Sequence, residues 1–223
     1  MNAAPRIGIL GGTLDPVHVG HIDSALAARA ALALDQVVIV PSHVPPHRHQ
    51  QPHASAFHRF AMAALAINGI DGLAVSDIEL RAPGPSYTAD TLQRFHAEGL
   101  PASQIFFITG ADAFAEIETW VRYPQVLDLA HWVVIARPGH DLASLAARLP
   151  RLAARMVDAG QRPAIVDGTG IFLVDARTSD VSSTEVRRRI ASGEPVTGLV
   201  APSVQAHIVQ HGLYRAGQLH GED

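Results

Sequence analysis

Two histidines three residues apart, His18 and His21, with Gly20 between them, follow a short apolar run that closes on Gly11 and Gly12. A helix is expected to begin at the histidines, which would turn both imidazoles toward one face at its N-terminus. A phosphate placed there would meet backbone N–H groups, the positive end of the helix dipole and two imidazole donors. The glycines lack side chains, so backbone amides can approach that phosphate closely. In nucleotidyl transfer the attacking and leaving oxygens lie roughly in line, so a protein chiefly positions the reactants and neutralises charge. Neither histidine need act as a base, because an attacking phosphate monoester is already an anion. The plain alternative is a pair of ordinary histidines at a helix start, behind a turn made by Asp15 and Pro16.

A second candidate cradle lies far along the chain in VSSTEVRRRI, from Val181 to Ile190. Ser182-x-x-Glu185 is a capping box that starts a helix on Ser182. The amides and hydroxyls of Ser183 and Thr184 would then sit at a helix N-terminus, one turn from Arg187. The alternative keeps the cap and makes Arg187 to Arg189 a solvated face. Facing each other, the two cradles would hold a triphosphate chain. A histidine-rich stretch, His43, His47, His49, His53 and His58, has no carboxylates among them and no familiar ligand spacing. It reads as surface histidine, and no protein metal ligands are expected.

These loops need elements to hold them. Short apolar runs at Ile7 to Leu10, Val37 to Val40, Leu73 to Val75, Ile105 to Ile108 and Trp132 to Ala136 read as buried strands. Helix-period stretches alternate with them: Ile22 to Leu34, Phe57 to Ile67, Thr88 to Ala97, and Ala113 to Leu129 interrupted by Pro124. That alternation predicts a parallel sheet with right-handed crossovers. Ligands of such sheets bind outside the carboxyl ends of the strands. The segments GGTLDPVHVGH, PSHVPPHRH, TGADAF and ARPG each follow a strand. Leu142 to Gly160 reads as surface helix leading to two short strands, Ala164 to Val166 and Ile171 to Val174. The tail LHGED reads as frayed.

Composition narrows the classes. The 223 residues contain 48% hydrophobic side chains, enough for the core of one globular domain spanning 1–223. The absence of cysteine excludes disulfides and thiolate chemistry and fits a reducing, cytoplasmic setting. No run approaches the roughly 18 apolar residues of a spanning helix, and the N-terminal apolar run is too short for a signal peptide. A formal net charge of -4 gives no general attraction to nucleic acid, which favours a small phosphate ligand met by local basic groups. The first glycine loop is neither G-x-G-x-x-G nor a Walker A loop, so dehydrogenase and P-loop readings lose their warrant.

GGTLDPVHVGH resembles the (G/S)GTFDPxHxGH signature of adenylyltransferases in the nucleotidyltransferase superfamily, and VSSTEVRRRI resembles their ISSTxxR element. The segments PSHVPPHRH, APSYTADTL, TGADAF, ETW, ARPG and HGLYR resemble one branch, the bacterial nicotinate mononucleotide adenylyltransferases, from about Ile7 to Arg215. The resemblance implies an α/β, Rossmann-like, doubly wound parallel sheet with helices on both faces, the part from about 178 carrying the Ser-Ser-Thr element. It implies transfer of AMP from ATP to nicotinate mononucleotide, with Mg²⁺ carried by the ATP phosphates. His18 and His21 would contact those phosphates over a floor of Gly11, Gly12 and Thr13. Ser183, Thr184 and Arg187 would bind the outgoing pyrophosphate. Gly110 and Asp112 would lie near the ribose, Asp112 having the alternative of a helix N-cap. Arg137 would stack on adenine. Arg48, Tyr87, Thr88 and Trp120 would form the acceptor pocket, Trp120 stacking on the pyridine ring. Leu14 and Val181 stand for a customary Phe and Ile, and Val121 for an aromatic residue. Alternatives are a sibling enzyme acting on nicotinamide mononucleotide or phosphopantetheine, and a nucleotide-sensing module without turnover.

Overall fold

The structure is a computed structural model that describes residues 4–46, 52–136, 142–161, 168–176 and 178–216. Arg48 and Arg137, together with His47, His49, Ala164 to Val166 and the tail, lie outside the described residues. Seven strands form a parallel sheet, β1 (Ile7–Gly12), β2 (Gln36–Pro41), β3 (Leu73–Val75), β4 (Ile105–Gly110), β5 (His131–Ile135), β6 (Met156–Asp158) and β7 (Ile171–Val174), in the order β3-β2-β1-β4-β5-β7-β6. The helices are α1 (Val19–Leu32), α2 (Ala56–Ile67), α3 (Thr88–Ala97), α4 (Ala111–Phe114), α5 (Leu142–Arg148), α6 (Ser183–Ala191) and α7 (Pro202–His211). This is the α/β class expected. The chain winds outward from β1 in both directions, so β1 and β4 flank the point where strand order reverses, and ligands of such sheets gather at the carboxyl ends there.

The chain divides into two compact units. The first comprises the chain through Gly11, Ser24–Val38 and Tyr87–Thr178; the second comprises Gly12–Asp23, Ile39–Ser86 and Ser179 onward. In the first unit β4, β5 and β7 pair in parallel register, with Phe107 opposite Trp132 and Trp132 opposite Ile171. Trp132 is fully buried and packs against Phe107 and Phe114 at 5.1 and 5.7 Å between ring centres. A Cβ on Gly8 would come within 2.9 Å of Leu34 Cδ1 and Val37 Cγ2, so only glycine lets β1 lie this close to them.

In the second unit α2 packs on α7, and Ser203 Oγ donates to Leu65 O at 2.9 Å. Ser55 caps α2 by accepting from His58 N. His58 Nδ1 lies 3.1 Å from His207 Nε2, sharing a hydrogen bond, and the His211 ring packs at a tilt, 4.9 Å from His58 and 4.4 Å from His207. Burial first, then the neighbouring His211 and His58, hold the His207 imidazole below the usual histidine range. His207 and His211, one helical turn apart, are partners for His58 that its own neighbours in sequence did not reveal.

Two stretches differ from expectation. Ala113 to Leu129 is not a long interrupted helix: α4 stops at Phe114, and two short 3₁₀ turns follow, at Ile117–Thr119 and Gln125–Asp128. Between them Arg122 takes φ +64° and Pro124 removes a donor, which breaks helical continuity twice. In Leu142 to Gly160, helix covers only α5. After Pro150 the chain turns and Met156–Asp158 pairs in parallel with β7 as the edge strand. Arg155 anchors that return, its Nη2 donating to Thr169 Oγ1 at 2.7 Å and to Leu127 O at 3.1 Å.

Candidate active site

The loop after β1 is built by contacts that its own sequence does not suggest. Leu14, at φ +52°, is buried, as the apolar role expected of it requires. Asp15 follows, joined to Pro16 by a cis peptide, and its carboxylate is 0% exposed. A buried carboxylate needs donors. Asp15 accepts from His53 N (2.8 Å), Ala54 N (3.1 Å) and Tyr214 Oη (2.7 Å). The Arg59 guanidinium, 1% exposed, donates to Thr13 O (2.7 Å), His43 O (3.0 Å) and Ala54 O (3.1 Å). One cation thereby ties three loop segments together. Gly12 O accepts from Ser42 N, and a Cβ on Gly12 would meet nothing nearer than Leu14 Cδ2 at 3.6 Å. A side chain there would make only ordinary contact with Leu14, so packing alone does not call for glycine.

Helix α1 begins at Val19, between the two histidines as expected of them and three residues before the helix-period stretch; Val19 N is taken by Leu199 O and His21 N by His18 O. This places His21 in the first turn. The two imidazoles lie 3.7 Å apart at 35°, with His18 buried and His21 half-buried. His18 N donates to His21 Nδ1 at 3.2 Å. A ring nitrogen that accepts carries no proton, so in the neutral ring the hydrogen sits on His21 Nε2, the atom that can donate outward.

Gly20 is required by closeness. A Cβ there would lie 3.0 Å from Ser179 O and 3.2 Å from the His18 ring. Ser179 cannot retreat easily, since its N and Oγ both bond Asp23 Oδ2, at 2.9 and 2.6 Å. The His18 ring must therefore give way. Gly20→Ala is expected to lower kcat by about tenfold or more while leaving the melting temperature within a few degrees. Steady-state rates beside a thermal melt check this; an unaltered kcat would mean that the ring position is not critical.

Helix α6 starts where the capping box put it. Ser182 Oγ accepts from Glu185 N at 3.1 Å. The Glu185 carboxylate bonds Arg188 Nε at 2.8 Å and Arg189 Nε at 2.7 Å, and those bonds, Arg188 first, lower its pKa to about 2. Arg188 points outward, whereas Arg187 is buried and points to the loop after β1. Arg187 Nη1 donates to Asp15 O at 2.6 Å, and Nη2 lies 3.2 Å from Thr184 Oγ1. Ser183 Oγ donates to Pro16 O at 2.9 Å. Within the second unit, therefore, Gly12, Thr13, His18, His21, Ser183, Thr184 and Arg187 belong to one constellation. The all-solvated reading of Arg187 to Arg189 holds for Arg188 and fails for Arg187.

The remaining expected residues among those described lie in the first unit. Gly11 ends its stretch of β1, where a Cβ would touch the Phe107 ring at 3.4 Å. Gly110 is the N-cap of α4, which excludes the N-cap alternative for Asp112; that residue sits exposed in the first turn. Tyr87 and Thr88 are the N-cap and first residue of α3. Trp120 is half-buried, edge-on to Phe107 at 6.3 Å and to Trp132 at 5.6 Å. Arg122 ties that turn to α3, reaching Asp90 Oδ1 (2.8 Å) and Gln93 Oε1 (2.7 Å). Val121 is 40% exposed, outside the packing of the turn.

Asp15, Arg59, Tyr214 and the Asp23–Ser179 pair were not expected as site architecture. Among the described residues, no group of three or more His, Cys, Asp or Glu could hold a metal ion. No helix there is long and apolar enough to cross a membrane.

Residues 9–189 match the cytidylyltransferase-like family. Over 218 residues the chain is 43% identical to a protein of Pseudomonas syringae pv. tomato named "Probable nicotinate-nucleotide adenylyltransferase", covering 97% of this chain and 96% of that one. A protein of the same name from Roseiflexus is 42% identical, covering 96% and 100%. The nicotinic acid mononucleotide adenylyltransferase of Plasmodium falciparum, solved in complex with NaAD, superposes with a TM-score of 0.69 at 16% identity, covering 95% and 98%.

Proposed function

The chain belongs to the cytidylyltransferase-like family and, within it, to the nicotinate-nucleotide adenylyltransferases, and we propose a chemical role for each part of its site in moving AMP from ATP to nicotinate mononucleotide. An oxygen of the acceptor phosphate attacks the α-phosphorus of ATP. The new P–O bond forms as the bond to the β-phosphate bridging oxygen breaks, giving nicotinate adenine dinucleotide and pyrophosphate. No proton need leave the attacking oxygen, so the site's work is positioning and charge stabilisation.

The observation that carries the assignment is the joining of two helix N-termini around Asp15 and Pro16. His18 and His21 stand at the start of α1 and donate to the transferred phosphate as its charge grows. Thr184, Arg187 and the first amides of α6 receive the departing pyrophosphate, while Ser183, bonded to Pro16 O, sets the loop for them. ATP enters as its Mg²⁺ complex. The one carboxylate in the loop, Asp15, is buried with its oxygens taken by protein donors, so a metal arriving with ATP would rely on the phosphates and water rather than on this loop.

In the first unit, Gly110 and Asp112 stand at the start of α4, where a carboxylate and loop backbone suit a ribose. Tyr87 and Thr88 begin α3, where amides and the Thr88 hydroxyl suit the nicotinate carboxylate. Trp120, on a turn clamped to that helix by Arg122, offers a ring for the pyridine. Arg48 and Arg137 keep their assignments to the acceptor pocket and to adenine through the family resemblance alone.

Offering ATP with nicotinate mononucleotide, nicotinamide mononucleotide or phosphopantetheine in turn, and measuring pyrophosphate, tests the acceptor. The acid mononucleotide is expected to be preferred by about tenfold or more, since a site built for a carboxylate leaves donors unpaired with an amide. Equal or faster turnover of the amide form would sink the nicotinate assignment.

A further inference from the structure

The segment HGLYR near the end of the chain has no part in the chemistry above, yet it reaches the phosphate loop. Helix α7 ends on Gly212, whose φ of +62° reverses the backbone. The Arg215 guanidinium carbon lies 3.2 Å from where a Cβ on Gly212 would stand, but that exposed side chain can move aside, so it is the positive φ that calls for glycine. Tyr214, itself at φ +64° and 1% exposed, then places its hydroxyl 2.7 Å from Asp15 Oδ1. The two residues are 199 positions apart in sequence.

We propose that Tyr214 is a positioning residue for the transfer reaction, a latch from the end of α7 that fixes the Asp15 carboxylate and, through Asp15, Arg187 and the turn into His18. The inference rests on the adenylyltransferase reading of the site. Asp15 joins these contacts. Its carboxylate holds the 53–54 backbone through two N–H bonds, and its own carbonyl accepts from Arg187 at 2.6 Å. Asp15 Oδ2 also lies 3.9 Å from Arg187 Nη1, so a displaced carboxylate alters the charge that this guanidinium faces. Burial, then the adjacent carboxylate, push the Tyr214 pKa up, so the phenol remains a hydrogen-bond donor across the working pH range. Arg59 holds the same loop through Thr13 O and Ala54 O, whereas Tyr214 supplies the one side-chain hydroxyl bonded to the Asp15 carboxylate among the described residues.

Tyr214→Phe removes one oxygen and keeps the buried ring. In the full-length protein, kcat is expected to fall about tenfold, with the KM for nicotinate mononucleotide within about twofold of its original value. Asp15→Asn keeps the shape of the acceptor and addresses the same bond from the other side. If the two act as one unit, the double variant is about as slow as Asp15→Asn alone, because coupled residues are not additive. A purely structural tyrosine would instead lower the melting temperature and leave kcat unchanged at temperatures below the melt. An unchanged kcat in Tyr214→Phe, or fully additive losses in the double variant, overturns the latch. Should Tyr214→Phe not accumulate, full kcat in Asp15→Asn overturns it equally. Failure of the unaltered protein to release pyrophosphate with any mononucleotide marks a failure of the underlying reading, not of the latch.

Discussion

His18→Ala and His21→Ala are each expected to lower kcat by about two to three decades, the scale for losing a preorganised donor to a transition-state oxyanion. The KM for ATP should change far less, because the amides of the helix starts and Arg187 still bind the ground-state phosphates. The two rings stack at 3.7 Å, and His21 Nδ1 accepts from His18 N, so the histidines form a unit. Losing His21 also removes the acceptor that orients the His18 backbone. The double alanine variant should accordingly be not much slower than the worse single one. Glutamine at position 21 would keep an amide donor and is expected to retain more activity than alanine. Single-turnover rates with saturating ATP and nicotinate mononucleotide separate this from slow product release. A double alanine variant working at full speed would remove both histidines from the chemistry.

Much of this arrangement was legible in the chain, and the reasons differ by residue. The strands from β1 to β5 announced themselves as short apolar runs because both faces of a parallel strand are covered. The start of α6 was legible because Ser182 and Glu185 are a local signal, and the bond from Glu185 N is made. The edge strand Met156–Asp158 was not, since three residues with no alternation carry no period to detect. The start of α1 was legible at the histidines but not in the apolar period, which begins three residues later; among its first amides, that of Val19 is satisfied by Leu199 O, distant in sequence. The inward course of Arg187 could be posed only as one of two options. What decides it is the Asp15 carbonyl, 172 residues away. Arg59 is the sharpest omission. A lone arginine in a helical window is ordinarily solvent-facing, and only tertiary contact shows three backbone carbonyls converging on its guanidinium. Buried polar architecture of this kind has no periodicity, so sequence pattern cannot carry it.

Arg187 is the residue at which support of the fold and the proposed chemistry coincide, and two substitutions separate them. Its guanidinium is fixed by Asp15 O at 2.6 Å and by Thr184 Oγ1 at 3.2 Å, with Asp15 Oδ2 3.9 Å away. A lysine keeps the charge near the pyrophosphate but replaces a planar fork by one ammonium that cannot satisfy the same directions. Arg187→Lys is expected to keep most of the stability and to lose about ten- to hundredfold in kcat/KM for ATP. Arg187→Ala removes the charge as well and leaves the buried Asp15 carbonyl short of a donor. It should cost about a thousandfold in kcat/KM, together with a drop of several degrees in melting temperature. The direction of substrate dependence matters as much as size. If Arg187 receives the leaving pyrophosphate, both variants must weaken inhibition by added pyrophosphate more than they raise the KM for nicotinate mononucleotide. Were the lysine variant to match the original protein in kcat/KM and in pyrophosphate inhibition, Arg187 would be a structural arginine, and the second phosphate cradle would lose its central member.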